Sequence, residues 1–183
     1  TCTSPPATPT YGFTKTFTDA LEITDSASDS QNNIYVVGSG KLRKISPTGA
    51  VLWQKNIVSK NISSISSKNK LFVDRFNNLY LIGTFSGVEN FNPDGFDLIT
   101  ASGAYNAYVS KFLPDGSYGW TKTISGSGSD SQASTTVNGI TVDTIGNVFI
   151  TGSFDNNTDF DPESGRDVRY SIDDSFYLTK INK

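Results

Sequence analysis

Histidine and methionine are absent from the 183 residues, and cysteine occurs once, at position 2. Without histidine there is no Ser-His-Asp or Cys-His triad, no imidazole general base and no histidine-ligated zinc. A single cysteine excludes an intrachain disulfide and a cysteine-rich metal site. Charge is scarce: 15 Lys and Arg stand against 18 Asp and Glu, a net charge of −3, with a pI near 4.8. That balance argues against a nucleic-acid or anionic-membrane surface, which requires clustered basic side chains. No apolar run approaches the roughly 18–20 residues that cross a bilayer as a helix. With no methionine at its start, the chain reads as a processed or trimmed form.

What is abundant is Ser, Thr, Asn, Asp and Gly, together with 12 Phe and 8 Tyr. Short polar side chains bond the local backbone and compete with helix formation. Aromatic rings suit a pleated, half-buried surface. The composition therefore predicts an all-β chain, long enough for one substantial domain.

Internal repetition refines that expectation. The stretches NNIYVVGS (32–39), NNLYLIGT (77–84) and GNVFITGS (146–153) each read as a tight turn feeding a strand that ends on a glycine: Gly38, Gly83 or Gly152. Four residues before Asn33, Asn78 and Asn147 stand Asp29, Asp74 and Asp143. LFVD and ITVD precede the two later copies as further strands, and ITDSASD, in the first copy, is their more polar counterpart. A third element follows as LRKIS (42–46), YVSKFL (108–113) and YLTKIN (177–182). The first two of these continue through Pro-x-Gly turns into a strand bearing Trp53 or Trp120. Gly83 to Gly152 and Lys111 to Lys180 are both 69 residues, so the second and third copies share a register. Gly38 to Lys44 is only 6 residues, where the later copies have 28, so the first lacks a middle insertion.

Four antiparallel strands repeated radially make a β-propeller blade. The expected organisation is an extended tether over 1–10, then a propeller over 11–183. Blade one covers about 20–57, blade two about 62–124 and blade three about 137–182. Blade three is one strand short. YGFTKTF (11–17) nearly copies YGWTKTI (118–124), with Phe13 standing where Trp53 and Trp120 stand. It is thus expected to close the last blade. Three blades are fewer than the usual 4–8, and two-fold symmetry is the commonest in homo-oligomers. A homodimeric six-bladed ring sealed by exchange of that strand is expected, with a three-bladed monomer and a piece of a longer propeller as the alternatives.

The stretches FLPDGSYGWTKTISGSGSDS (112–131) and ITVDTIGNVFITGSFDNNTDFDP (140–162) resemble one repeat of the bacterial SBBP β-propeller family, and weaker copies extend the likeness over most of 11–183. That resemblance implies a propeller in a secreted protein or lipoprotein, including the surface lipoproteins of spirochaetes. It implies no single activity. KISPTGAVLWQK (44–55) is more loosely similar to the Trp-bearing repeats of quinoprotein propellers, whose metal and quinone contacts have no counterpart here.

Candidate chemistry is sparse. Asp155, Asn157, Asp159 and Glu163 occupy positions 1, 3, 5 and 9 of an oxygen-ligand calcium loop, but Phe160 replaces the glycine at position 6 and Arg166 the acid at position 12. The competing reading is an exposed insertion whose Asp and Asn satisfy turn backbone; no other cofactor is expected. Phe13, Trp53 and Trp120 fit inter-blade packing better than a ligand-stacking groove. Lys15, Lys55 and Lys122, two residues further on, are expected to guard outer strands against edge-to-edge association. Asp29, Asp74 and Asp143 are explained by turn bonding. SGSGSDS (125–131) lacks the Gly-Lys-Ser/Thr of a phosphate-binding loop and reads as a blade connection. Cys2, heading a Pro/Thr/Ser-rich segment, fits the lipid-modified residue of a lipoprotein. The functional expectation is a non-enzymatic, exported binding or scaffold propeller at the bacterial cell surface or outer membrane. Its partners would be a second copy and a protein or glycan of host or envelope, with membrane contact only through a lipid anchor. A carbohydrate-active or lyase-type propeller and a purely structural module are the alternatives.

Overall fold

The Asp-to-Asn stretches form the same tight turn three times, and that turn sets the register of the strands beside it. The computed structural model of the protein describes residues 11–19, 22–57, 69–126, 132–163 and 165–183; Cys2, the tether and most of SGSGSDS lie outside them. In each turn the Asp carboxylate accepts from the backbone N–H two residues on (Gln31, Phe76, Ile145) and four residues on (Asn33, Asn78, Asn147). It also accepts from that Asn side-chain amide, at 2.7–2.9 Å. The residue before the Asn must turn left-handed, with φ of 62° at Asn32, 63° at Asn77 and 101° at Gly146. Only Gly, and Asn at modest cost, tolerate that conformation. The Asn-Asn and Gly-Asn pairs of the repeat are therefore a backbone requirement.

Among the described residues every regular element is a strand. Unit one is an antiparallel meander of β1 (Asp25–Ser28), β2 (Ile34–Gly38), β3 (Lys41–Ile45) and β4 (Val51–Asn56). Unit two orders β5 (Lys70–Val73), β6 (Leu79–Phe85), β9 (Asn106–Phe112) and β10 (Tyr118–Gly126) in the same way. Its insertion forms a separate hairpin, β7 (Val88–Asn90) with β8 (Leu98–Thr100). Unit three has three strands, β11 (Gly139–Val142), β12 (Val148–Asp159) and β13 (Val168–Ile181). The ends of β10 and β12 pair through Ser125–Asp159 and Gly126–Thr158, which joins the last two sheets.

Apolar side chains fill the spaces between units. Strand β6 is buried on both faces. Leu79, Leu81 and Phe85 pack with Tyr35, Val37 and Leu42 of unit one, while Tyr80 and Ile82 pack with Val148, Ile150 and Phe154 of unit three. Each such side chain contributes roughly 1.5–3 kcal/mol by burial, so the units cohere mainly through these two cores. Gly38, Gly83 and Gly152 sit where neighbours pass too close for a side chain. A Cβ there would overlap the Glu22 carbonyl oxygen, the Asn69 side-chain oxygen or the Thr136 carbonyl oxygen.

Three findings bear on these expectations. The polar stretch ITDSASD contains the first strand of its unit, β1, whose Asp25 carboxylate accepts from Leu71 N–H of unit two. The insertion at 155–176 is largely strand, because β12 and β13 continue as one long hairpin past a bulge at Phe154/Asn156. Finally, Tyr11–Phe17 forms no ladder and does not pair with β13 of its own chain. It lies over unit one instead, where Phe13 meets the turn at Gly49 and Phe17 lies beneath the Arg43 guanidinium. The substantial contacts between units run from β1 and β2 to β5, from β5 to β11 and from β10 to β12. Unit three is therefore at the far end of the arc from the segment expected to close it.

Candidate functional site

The repeat places an aromatic ring, a lysine and a second aromatic ring side by side across three strands. The ladders set Tyr35 beside Lys44 and Lys44 beside Trp53 in unit one, and Tyr80, Lys111 and Trp120 likewise in unit two. In unit three Phe149 pairs with Lys180, and no fourth strand follows among the described residues. The indole rings sit 5.8 Å (Trp53–Tyr35) and 6.2 Å (Trp120–Tyr80) from their tyrosines. Trp53 also packs against the Pro-x-Gly turn of the next unit. A Cβ at Gly116, whose φ is +88°, would lie 2.9 Å from the indole. Beside Trp120 the corresponding space is a cavity of about 120 Å³, bordered by Lys111, Lys122, Gly146 and Glu163.

Lys44 is buried, with Nζ 3.1 Å from Asp29 Oδ2 and donating at 3.1 Å to the Pro114 carbonyl of unit two. Burial pulls its pKa down, but Tyr35 and Asp29 outweigh that, and the net shift is upward. At Asp29 burial pushes upward and is outweighed by the Asn33 and Lys44 contacts, leaving the carboxyl below its ordinary value. Both groups stay charged at neutral pH, as a structural ion pair rather than a proton-transfer pair. Tyr108 and Tyr177 are raised mainly by burial, so they remain donors to Asn69 Oδ1 and the Thr136 carbonyl.

The outer-strand lysines have a role that their sequence positions did not disclose. Lys55 pairs with Asp94 in the insertion of unit two, at 2.6 Å, and Lys122 pairs with Glu163 in that of unit three, at 2.7 Å. They link units, in place of the edge-guarding role expected of them. The signal was present in the matching acids of NPDG and DPES, but only the adjacency of units connects it to the lysines. Both pairs are partly exposed, so Lys55→Ala should cost about 0–1 kcal/mol in urea unfolding.

The calcium pattern is not a loop. Asp155, Asn157 and Asp159 lie on β12, where alternate residues advance roughly 6.6 Å along the strand. Calcium needs all its oxygens at about 2.3–2.6 Å from one point. Each acid has its own partner: Asp155 accepts from Ser134 N–H, Asp159 from the N–H groups of Asp161 and Asp167, and Glu163 pairs with Lys122. No three Asp, Glu, His or Cys residues gather as metal ligands among the described residues. Asn90 plays the part of Asp159 in unit two, accepting from Asn92 and Asp97 N–H. Phe91 and Phe160 then turn inward against Phe85 and Phe154, with ring centroids 5.0 and 4.9 Å apart. The pattern that reads as calcium ligands serves to seat an aromatic plug.

The remaining surface feature is the outer face of unit three. Tyr170, Ile172, Phe176 and Leu178 are all exposed on β13, Phe176 by 86%. Two cavities of about 440 and 470 Å³ adjoin this strand, both bordered by Phe160, Asp167 and Leu178.

With that geometry in place, comparison with known families adds one finding. The SBBP beta-propeller repeat matches residues 120–160, from Trp120 on β10 through β11 and β12 to the plug residue Phe160. No curated protein matches the chain.

Proposed function

We propose that this chain, which carries an SBBP β-propeller repeat, is half of a six-bladed propeller that works as a non-enzymatic binding or scaffold module at the bacterial surface. Its units are the blades; three fall short of the 4–8 of closed propellers, and two copies related by a two-fold supply six. Cys2 carries the lipid anchor. The supporting observation is what the repeated side chains do. Each Asp is committed to its turn, Lys55 and Lys122 to the next unit, and the tryptophans to packing. That leaves the insertion hairpins and exposed loops as the surface for a protein or glycan partner.

Light scattering should find twice 19.8 kDa, the mass of one chain; a species of 19.8 kDa would sink the ring. Surface plasmon resonance against immobilised peptidoglycan and purified extracellular-matrix glycoproteins should give saturable binding to at least one. Turnover of a glycoside or polyuronate panel, with no saturable binding, would favour the enzyme reading instead. Labelling of expressing cells with an alkyne fatty acid should mark the protein and be abolished by Cys2→Ser; a label that survives removes the anchor.

A further inference from the structure

Units one and two have four strands, whereas unit three stops at three and leaves the edge of β13 without a ladder partner among the described residues. Tyr11–Phe17 has the sequence of a fourth strand but no ladder. Its position is informative. Phe13 lies against the Pro-x-Gly turn of unit one at Gly49, as Trp53 lies against that of unit two at Gly116. Four residues beyond Trp53 and Trp120, Ile57 and Ile124 are buried in the core of the following unit. Four residues beyond Phe13, Phe17 lies under Arg43 of unit one, with 4.7 Å from guanidinium carbon to ring centre. By both contacts, Tyr11–Phe17 sits where the fourth strand of a unit preceding unit one would sit.

Among the described residues no unit precedes unit one, and unit three is at the other end of the arc. We infer that Tyr11–Phe17 of one copy is the fourth strand of unit three in a second copy, an assignment that rests on the six-bladed reading above. The two internal ladders supply the register. Lys44 faces Trp53 and Leu42 faces Lys55; Lys111 faces Trp120 and Val109 faces Lys122. Carried to unit three, Lys180 faces Phe13, Thr179 faces Thr14, Leu178 faces Lys15 and Phe176 faces Phe17 of the second copy. The exposed face of β13 is then the counterpart of the β9 face that bears Ala107 and Val109, which unit three buries. Unit one of the second copy covers it. Each copy donates one strand and receives one, so two copies related by a two-fold satisfy both ends.

The register names its own test. At the position equivalent to Thr179 and Thr14, the Ser110 and Thr121 hydroxyl oxygens are 2.7 Å apart, close enough for cysteines there to form a disulfide. In a Cys2→Ser background, chains carrying Thr14→Cys alone and Thr179→Cys alone are co-expressed and mildly oxidised. A covalent dimer on a denaturing gel, absent when either chain is expressed alone, is the expected result. A chain carrying both cysteines that cross-links only within itself would overturn exchange between copies. As a second measurement, Phe176→Asp should reduce the solution mass to 19.8 kDa with the β circular-dichroism signal retained; a full dimer would overturn the assigned face. Dimer mass without the mixed cross-link overturns the exchange and leaves the ring standing, whereas monomer mass in the unmodified chain sinks both.

Discussion

Asp29→Ala is expected to destabilise the protein by about 3–5 kcal/mol in urea unfolding, the usual cost of removing one member of a buried ion pair. The substitution strands the Lys44 ammonium, whose side chain is 7% exposed beside a fully buried Asp29 carboxylate. It also deprives the Gln31 and Asn33 backbone N–H groups and the Asn33 amide of their acceptor. Asp143→Ala should cost clearly less, because Asp143 holds its turn without a buried lysine. Equal losses at the two sites would show that the turn, not the charge pair, dominates.

A pH dependence follows from the same group. The folded Asp29 pKa lies below its ordinary value of 3.8, as do those of Asp19, Asp115 and Asp143. Groups with a depressed folded pKa contribute stability above the unfolded value and lose it as the pH falls through the folded one. Stability should therefore be flat near neutrality and decline below about pH 4. Asp29→Asn should flatten that decline relative to the unmodified protein. A profile that keeps its full acid slope would remove Asp29 from the explanation.

Phe85→Ala should cost about 3–5 kcal/mol, the range for emptying a buried phenylalanine site. The ring is fully buried, centred 5.0 Å from Phe91 and 6.2 Å from Tyr108 in edge-on geometry, and it anchors the core between units one and two. Removing it also unseats the plug that brings the insertion hairpin inward. Phe96→Ala, at a ring that is 89% exposed, should stay within about 0.5 kcal/mol. The pair of variants, read by denaturant midpoint at unchanged m-value, separates burial from residue type.

How much was legible depended on how local each constraint is. The Asp-to-Asn turns could be read because their bonds span four residues and their left-handed position admits few residue types. The glycines at 38, 83 and 152 could be placed on strands by periodicity. Their reason, a passing oxygen or tyrosine, comes from residues elsewhere in the chain. The acids of FDNNTDFDP admitted two readings because period-two spacing is shared by a calcium loop and a β-strand; β12 forms the strand by pairing with β13. β1 reads less clearly than its two counterparts because its Asp25 bonds the backbone of another unit, 46 residues away.

By itself, the sequence determined the three turns, the strands between them, the exclusion of histidine chemistry and the kinship of Tyr11–Phe17 with β4 and β10. These are matters of backbone preference and of side chains within a few residues of one another. The tertiary structure alone decided which faces meet, that Lys55 and Lys122 tie one unit to the next, and that Phe13 rests on unit one instead of beside β13. Such contacts join residues tens of positions apart, and their energy exists only once the sheets have stacked and excluded water between them.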